Sequence, residues 1–146
     1  MQGKVLKLFI TQNDEDKTRQ QKKEITVDTF GVRDDKFYKK NEQRAILITS
    51  AQSYDMAADK DINLSNGILG ENILIDINPY HLAPGKSLQI GNITLEITQN
   101  CTLCKGLSTI STQLPKLLKN DRGIFAKVIQ NSGIIKVGDT VTISNY

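Results

Sequence analysis

The stretch "GNITLEITQNCTLC", residues 91–104, opens on the turn pair Gly91-Asn92 and then alternates: Ile93, Leu95 and Ile97 are apolar, while Thr94, Glu96 and Thr98 are polar. A period of two sends successive side chains to opposite faces of an extended chain, so the segment predicts a strand with one face buried and the other wet. Working outward, the same alternation returns in Val5, Leu6, Leu8 and Ile10 and in Ile46 and Ile48. Further short apolar runs, "ILIDI" at 73–77, "FAKVI" at 125–129 and "TVTI" at 140–143, are separated by "PG" at 84–85, "SG" at 132–133 and "GD" at 138–139. Many short strands with closely spaced turn signals predict a mainly β fold, closed or nearly closed into a barrel. Helix is expected only in short pieces near 50–58 and 112–120. Ser50 is placed to cap a helix running through Tyr54 and Ala57. Leu114, Leu117 and Leu118 lie at helical spacing, with Pro115 admissible in a first turn.

The 146 residues suit one domain spanning 1–146, long enough to bury roughly two-thirds of its unfolded surface. Nineteen basic residues against sixteen acidic leave a net charge of +3, too little for a dedicated polyanion binder, so no nucleic-acid partner is expected. The apolar run in "MQGKVLKLFITQ" is interrupted by Lys4 and Lys7 and is shorter than a secretory signal requires. No stretch approaches the eighteen apolar residues of a membrane span. The expectation is a cytoplasmic protein with no membrane partner. Charge is nevertheless uneven: from Lys17 to Arg44 nine Lys or Arg stand against five Asp or Glu. Such a run reads either as a solvated loop or hairpin or as a basic rim that attracts a phosphate-bearing ligand.

Chemistry is concentrated in "NCTLC", residues 100–104, which holds the chain's two cysteines, Cys101 and Cys104. Thiolates are nucleophiles and soft metal ligands, and two of them three residues apart at a strand end can reach one pocket. Several readings compete. A structural zinc site needs about four donors, and His81 is the one other usual donor the chain offers. A thioredoxin-like pair belongs between a strand and a helix, which the all-β pattern does not supply. The cysteines are otherwise two buried, inert thiols, or one of them binds a soft metal centre. His81 itself lies in the turn-rich "NPYHLAPG" and reads as a loop residue. No Walker loop, no Gly-x-Gly-x-x-Gly after a strand and no Ser-His-Asp order is found, so nucleotide-binding and hydrolase classes are disfavoured.

One further stretch, "SNGILGENILI" at 65–75, sets Glu71 and Asn72 in front of an apolar strand. It reads either as a polar turn or as a polar pair presented to a ligand.

Taken together, "FGVRDDKF" at 30–37, "LSNGILGENILI" at 64–75, "GKSLQIGNITLEITQNCTLC" at 85–104 and "GIFAKVIQNSGIIKVGDTVTI" at 123–143 resemble the MOSC domain, named for the C-terminal domain of molybdenum cofactor sulfurase. The closing stretch is also similar to the end of the mitochondrial amidoxime-reducing component. The resemblance implies a MOSC-like β-barrel with a few short helices and a molybdopterin-type molybdenum cofactor. It also implies a cysteine at the end of a central strand that ligates molybdenum or carries sulfur. On this basis Cys104, six residues after Thr98, is the favoured catalytic residue and metal ligand, with Cys101 beside it. Asp35, Arg44, Gly70, Glu71 and Asn72 are the expected cofactor-binding positions. Gly70 would supply a tight turn, and Glu71 and Asn72 would face the cleft and pair with the amide and amine edges of a pterin ring.

The chain also departs from that pattern. The family's first motif runs Gly-Val-x-Gly-Asp-x-His; Gly31, Val32 and Asp35 fit, but Asp34 replaces the second glycine and Phe37 the histidine. A changed turn and a lost donor are expected at that corner. Pyridoxal phosphate is linked to the family through the separate desulfurase domain of the cofactor sulfurase, and nothing in this sequence argues for a Schiff-base lysine. Two classes of function follow. One is an enzyme that reduces N-hydroxylated compounds or transfers sulfur, served by a redox or sulfur-donor protein. The other is a non-catalytic carrier or interaction module for the cofactor.

Overall fold

The computed structural model describes residues 1–15, 18–101 and 107–144. In chain order they form strands β1 (Gln2–Thr11), β2 (Arg19–Lys22), β3 (Glu24–Asp28) and β4 (Gly31–Val32), then a 3-10 turn at Glu42–Arg44, β5 (Ile46–Ser50) and helix α1 (Ala51–Ala58). After these come β6 (Ile73–Ile75), β7 (Ser87–Ile90), β8 (Ile93–Asn100), helices α2 (Leu107–Ile110) and α3 (Leu114–Leu117), and β9 (Ile124–Gln130), β10 (Gly133–Lys136) and β11 (Thr140–Ile143).

Seven strands close a barrel in the order β11-β7-β8-β9-β5-β6-β1, with β11 pairing back onto β1. The ten residues of β1 make the closure. One of its edges carries β6, opposite Val5 to Leu8, while the other carries β11 opposite Gln2 to Lys4 and then β2 opposite Leu8 to Thr11. The β1–β2 hairpin thus leaves the barrel as a flap. The predicted alternation in β8 holds residue by residue: Ile93, Leu95 and Ile97 are buried, and the threonines and Glu96 between them are half-buried. These residues join Val5, Leu8, Ile46, Ile48, Ile73, Ile75 and Val141 in one apolar cluster filling the barrel. Each such side chain contributes roughly 1.5–3 kcal/mol by leaving water.

The polar segment carries more order than a loop. Within it, "EITVD" forms β3 and pairs with β4 and β10 in a small second sheet. Ile25, Val27, Val32 and Ile135 of that sheet belong to the barrel's apolar cluster, which is what holds a highly charged stretch in place.

All barrel neighbours are antiparallel except β5 and β6, which run parallel in the register Ile48↔Ile73. A parallel pair needs a crossover, and residues 51–72 supply it. Ser50 caps α1 as expected, its side chain accepting from the Gln52 N–H at 3.1 Å. α1 packs with α2 and α3 over Leu74, and Tyr54, Leu69, Leu107, Leu114 and Leu118 form a second cluster there. Pro115 sits in the first turn of α3. Helix α2 lies outside the two helical pieces expected from the sequence; four residues are too few to display a period.

Candidate functional site

Strand β5 is buried on both faces. Ile46 and Ile48 point into the barrel, while Leu47, on the opposite face, packs with Cys101 and Phe125 in a small cluster of its own. That cluster is the floor of a cavity of about 670 Å³. Its walls are the 36–45 segment on one side and the 67–72 turn, where the crossover returns to β6, on the other. Five basic residues line it, Arg19, Lys36, Lys40, Arg44 and Arg122, and no Asp or Glu does so among the described residues. Four of the five come from the basic segment noted in the sequence.

The 67–72 turn is held from beneath. Gly67 and Gly70 adopt φ of 95° and 91°, the left-handed region that glycine enters without strain. Arg19 donates from Nη2 to the carbonyls of Gly67 (2.9 Å) and Glu71 (2.5 Å) and from Nη1 to Thr11 Oγ1 (3.0 Å), with its guanidinium 5.3 Å from the centre of the Phe9 ring. Burial pulls the Arg19 guanidinium below its ordinary value, opposed by the charges of Glu71 and Asp35. Arg122 donates from Nη2 to the Leu69 carbonyl at 3.3 Å. Its Nε and Nη1, like Arg19 Nε, are enclosed without an acceptor among the described residues.

Glu71 and Asn72, adjacent in sequence, part ways. Asn72 is 5% exposed and lines the cavity. Its Oδ1 accepts from the Leu47 N–H at 3.0 Å, and its Nδ2 donates to the Phe9 carbonyl at 3.2 Å and to Asp35 Oδ1 at 3.4 Å. Glu71 is fully buried and turned toward α1. Its Oε2 accepts from the Tyr54 hydroxyl at 2.6 Å and from the Gly67 N–H at 3.2 Å, and its Oε1 has no partner among the described residues. Burial raises the Glu71 carboxyl above its usual range, against the Tyr54 hydrogen bond and the charge of Arg19. Burial also raises Tyr54, reinforced by Glu71.

Asp35 is likewise interior, 5% exposed, and accepts from the Thr11 N–H at 2.7 Å and the Phe37 N–H at 3.1 Å. It fixes the start of the 36–45 wall. Arg44 lines the cavity with its guanidinium 5.0 Å from the centre of the Phe125 ring. Cys101 is 4% exposed in the cavity wall, its N–H donating to the Gly123 carbonyl at 3.0 Å. Cys104 lies outside the described residues. Of the expected positions, then, Arg44, Gly70, Asn72 and Cys101 share one cavity, while Asp35 and Glu71 stand behind its walls. Among the described residues no three His, Cys, Asp or Glu side chains converge as a metal site, and His81 is exposed.

The two departures resolve differently. Asp34 stands at φ 70°, in the left-handed region, which aspartate is one of the few non-glycine residues to accept. Phe37 lines the cavity mouth, 51% exposed, with Lys36 Nζ 4.7 Å from its ring centre. No imidazole replaces the missing histidine among the described lining residues.

A family model of the MOSC domain matches residues 29–142, from just before β4 to β11. The chain belongs to the MOSC domain family. The barrel is shared by solved structures. The YUAD protein from Bacillus subtilis superposes with a TM-score of 0.82 at 16% identity, covering 97% of this chain and 94% of that one. YiiM from Escherichia coli gives 0.72 at 16% identity, covering 100% and 71%, and YiiM from Geobacillus stearothermophilus gives 0.71 at 15%, covering 98% and 75%. At these identities the likeness is one of fold. Among curated proteins none matches the sequence. No helix among the described residues of this MOSC domain is long and apolar enough to cross a membrane.

Sequence reasoning passed over three residues at and behind this cavity. Arg19 was hidden in a charge run, Arg122 precedes β9 with no motif around it, and Tyr54 was read only as a helix residue. A buried carboxylate needs a donor, and Glu71 was the one signal pointing to Tyr54.

Proposed function

We propose that this MOSC domain binds a phosphate-bearing, molybdopterin-type cofactor in the cavity beside β5 and uses a cysteine thiolate there in reduction of N-hydroxylated compounds or in sulfur transfer. The observation that carries the reading is the charge of the cavity: among the described residues five cations and no carboxylate line a space of about 670 Å³ with a thiol in its wall. Uncompensated positive charge in a concave, partly enclosed site concentrates anions. Enclosed guanidinium nitrogens without acceptors on Arg122 add to that demand.

The residues present suit such a group. Asn72 already spends its amide on Leu47, Phe9 and Asp35, so its part is to fix the wall and the register of β5 against the turn. Arg19, Gly67 and Gly70 shape the opposite wall. Leu47 and Phe125 give a ring an apolar floor, and Arg44 adds a cation over the Phe125 ring. A bound molybdenum centre supplies two-electron redox chemistry with a soft affinity for thiolate. Cys104 is proposed as the ligand or sulfur carrier, and Cys101 as the wall thiol beside it. When the substrate is an N-hydroxylated base, the N–O bond breaks, two electrons and two protons are taken up, and water leaves. The electrons would come from a redox partner protein. In sulfur transfer the cysteine thiolate attacks the outer sulfur of a donor persulfide, the donor leaves as a thiolate, and the cysteine carries the sulfur as a persulfide that it passes on.

A second reading, a carrier that holds the cofactor without turnover, draws on Phe37. With phenylalanine at the mouth, no imidazole stands ready to move a proton. A reductase assay on N-hydroxylated bases, run on protein with measured molybdenum content, separates the two. Turnover that scales with metal supports the enzyme, and loaded but inactive protein supports the carrier.

A further inference from the structure

Two large apolar side chains stand half-exposed on the rim of the cavity, one on each wall: Phe37 on the 36–45 segment, 51% exposed, and Ile68 in the 67–72 turn, 45% exposed. A scattered apolar residue on a surface is ordinary. These two differ in how firmly they are held. The carbonyls on either side of Ile68 are both taken by arginines, Gly67 by Arg19 at 2.9 Å and Leu69 by Arg122 at 3.3 Å. Within the same turn Leu69 is fully buried in the helical cluster, while its neighbour Ile68 is turned out to the rim. Across the cavity the buried Asp35 fixes Phe37: its Oδ2 accepts the Phe37 N–H at 3.1 Å and its carbonyl accepts the Tyr38 N–H at 3.0 Å. Lys36 Nζ lies 4.7 Å from the centre of the Phe37 ring, and half of that side chain's surface stays open. Buried polar groups thus position two apolar side chains that take no part in the core clusters.

We infer that Phe37 and Ile68 form a ring subsite at the cavity mouth that selects the substrate: an N-hydroxylated compound carrying an uncharged aromatic ring. The ring is taken between the two side chains, and the N–O end points inward to the floor of Leu47, Cys101 and Phe125. The inference rests on the reductase reading for the N–O end and on the placement of Phe37 and Ile68 for the ring. A flat ring offers an apolar face to both, and an aromatic contact adds to the free energy of burial. With the backbone on each wall already fixed, binding carries little ordering cost. Charge sets the other half of the selection. Among the described lining residues no carboxylate can pair with an ammonium or amidinium group, and five cations oppose one. A small aliphatic N-hydroxylated compound gains nothing from the pair.

The test titrates three hydroxamic acids against the whole protein, with affinity read from amide chemical shifts. Acetohydroxamic acid has no ring, benzohydroxamic acid has one, and 4-(aminomethyl)benzohydroxamic acid puts an ammonium on that ring. Benzohydroxamic acid should bind more tightly than acetohydroxamic acid, on the order of tenfold, and shift residues 37 and 67–70. The ammonium should remove most of that gain. Phe37→Ala and Ile68→Ala, both at half-exposed positions outside the core, should each erase most of the ring's advantage, and Phe37→Tyr should keep it. Ile134→Ala, an equally exposed residue of β10 outside the described lining, should leave all three affinities unchanged. A ring advantage that is absent from the wild type or survives in both alanine variants overturns the subsite, as does an ammonium that weakens nothing. The reductase reading then still stands, because turnover on N-hydroxylated bases is measured separately. Ring selectivity that falls in the alanine variants of a protein without turnover sustains the subsite and overturns the reductase reading. Failure of all three acids to bind the wild-type protein overturns the subsite.

Discussion

The Tyr54 hydroxyl donates to Glu71 Oε2 at 2.6 Å, in a contact with no access to solvent, and the same hydroxyl accepts the Gly67 N–H at 2.9 Å. Helix α1 therefore holds the turn that walls the cavity through one phenol and one carboxylate. Both groups bear on the cavity without touching its contents.

This pair makes stability depend on pH in a definite direction. Burial raises the Glu71 carboxyl above its ordinary 4.5, so the folded state favours the protonated form. A group raised in the fold contributes stability that is complete below the unfolded value and is lost as pH climbs through the folded value. Glu71→Gln, neutral at every pH, should flatten that decline. Urea midpoints measured from pH 4 to 8 should show the variant gaining on the wild type as pH rises. A gap that widens in favour of the wild type over the same range would mean that the carboxylate is charged and stabilising.

Gly67→Ala tests the turn itself. At φ 95° an alanine is strained, and its Cβ would lie 2.8 Å from Phe9 Cε1. The left-handed backbone alone costs about 1–2 kcal/mol, and the ring contact adds to it. Chemical denaturation should show a lower midpoint at an unchanged slope.

Asn72→Ala should cost about 1–3 kcal/mol, because it leaves the buried Leu47 N–H without an acceptor. Asn72→Asp should be worse at neutral pH than at pH 4, since it sets a second carboxylate where Nδ2 now lies 3.4 Å from Asp35. Equal stability of the two variants across that range would remove Asp35 from the network.

Ligand binding should weaken as salt rises, with the screening length shrinking from about 10 Å at 0.1 M to 3 Å at 1 M. The slope should fall in the Lys36→Gln/Lys40→Gln variant, which removes two of the cavity's five cations. A salt-independent affinity in the wild type would leave the 17–44 excess as a solvated face.

What the sequence disclosed follows from the range of the interactions involved. Strand β8 and helix α1 were legible because alternation in Ile93, Leu95 and Ile97, and capping by Ser50, are local. Strand β3 was not, because Ile25 and Val27 are only two apolar residues among charges and earn burial from a distant core. The motif "GENI" marked the turn that walls the cavity, but not the divergence of its side chains: Asn72 lines the cavity and Glu71 faces Tyr54. Nothing local marks which side of a turn meets a helix seventeen residues earlier. Arg19 and Arg122 reach the cavity from β2 and from two residues before β9, and no spacing rule joins positions so far apart.

The central claim is that the basic cavity holds a molybdopterin-type cofactor with a cysteine at its metal. The most direct measurement is the molybdenum and pterin content of the protein purified from a cofactor-competent host, wild type beside Cys104→Ser and Cys101→Ser. A serine oxygen stays protonated near neutral pH and is a hard donor, so it cannot stand in for a soft thiolate, while the small change in volume leaves packing intact. The account predicts near-stoichiometric molybdenum and pterin in the wild type, loss of metal in Cys104→Ser with the circular dichroism of a folded β-barrel, and a much smaller effect of Cys101→Ser. Wild-type protein without molybdenum or pterin, or a Cys104→Ser variant that retains both at the wild-type level, would contradict it.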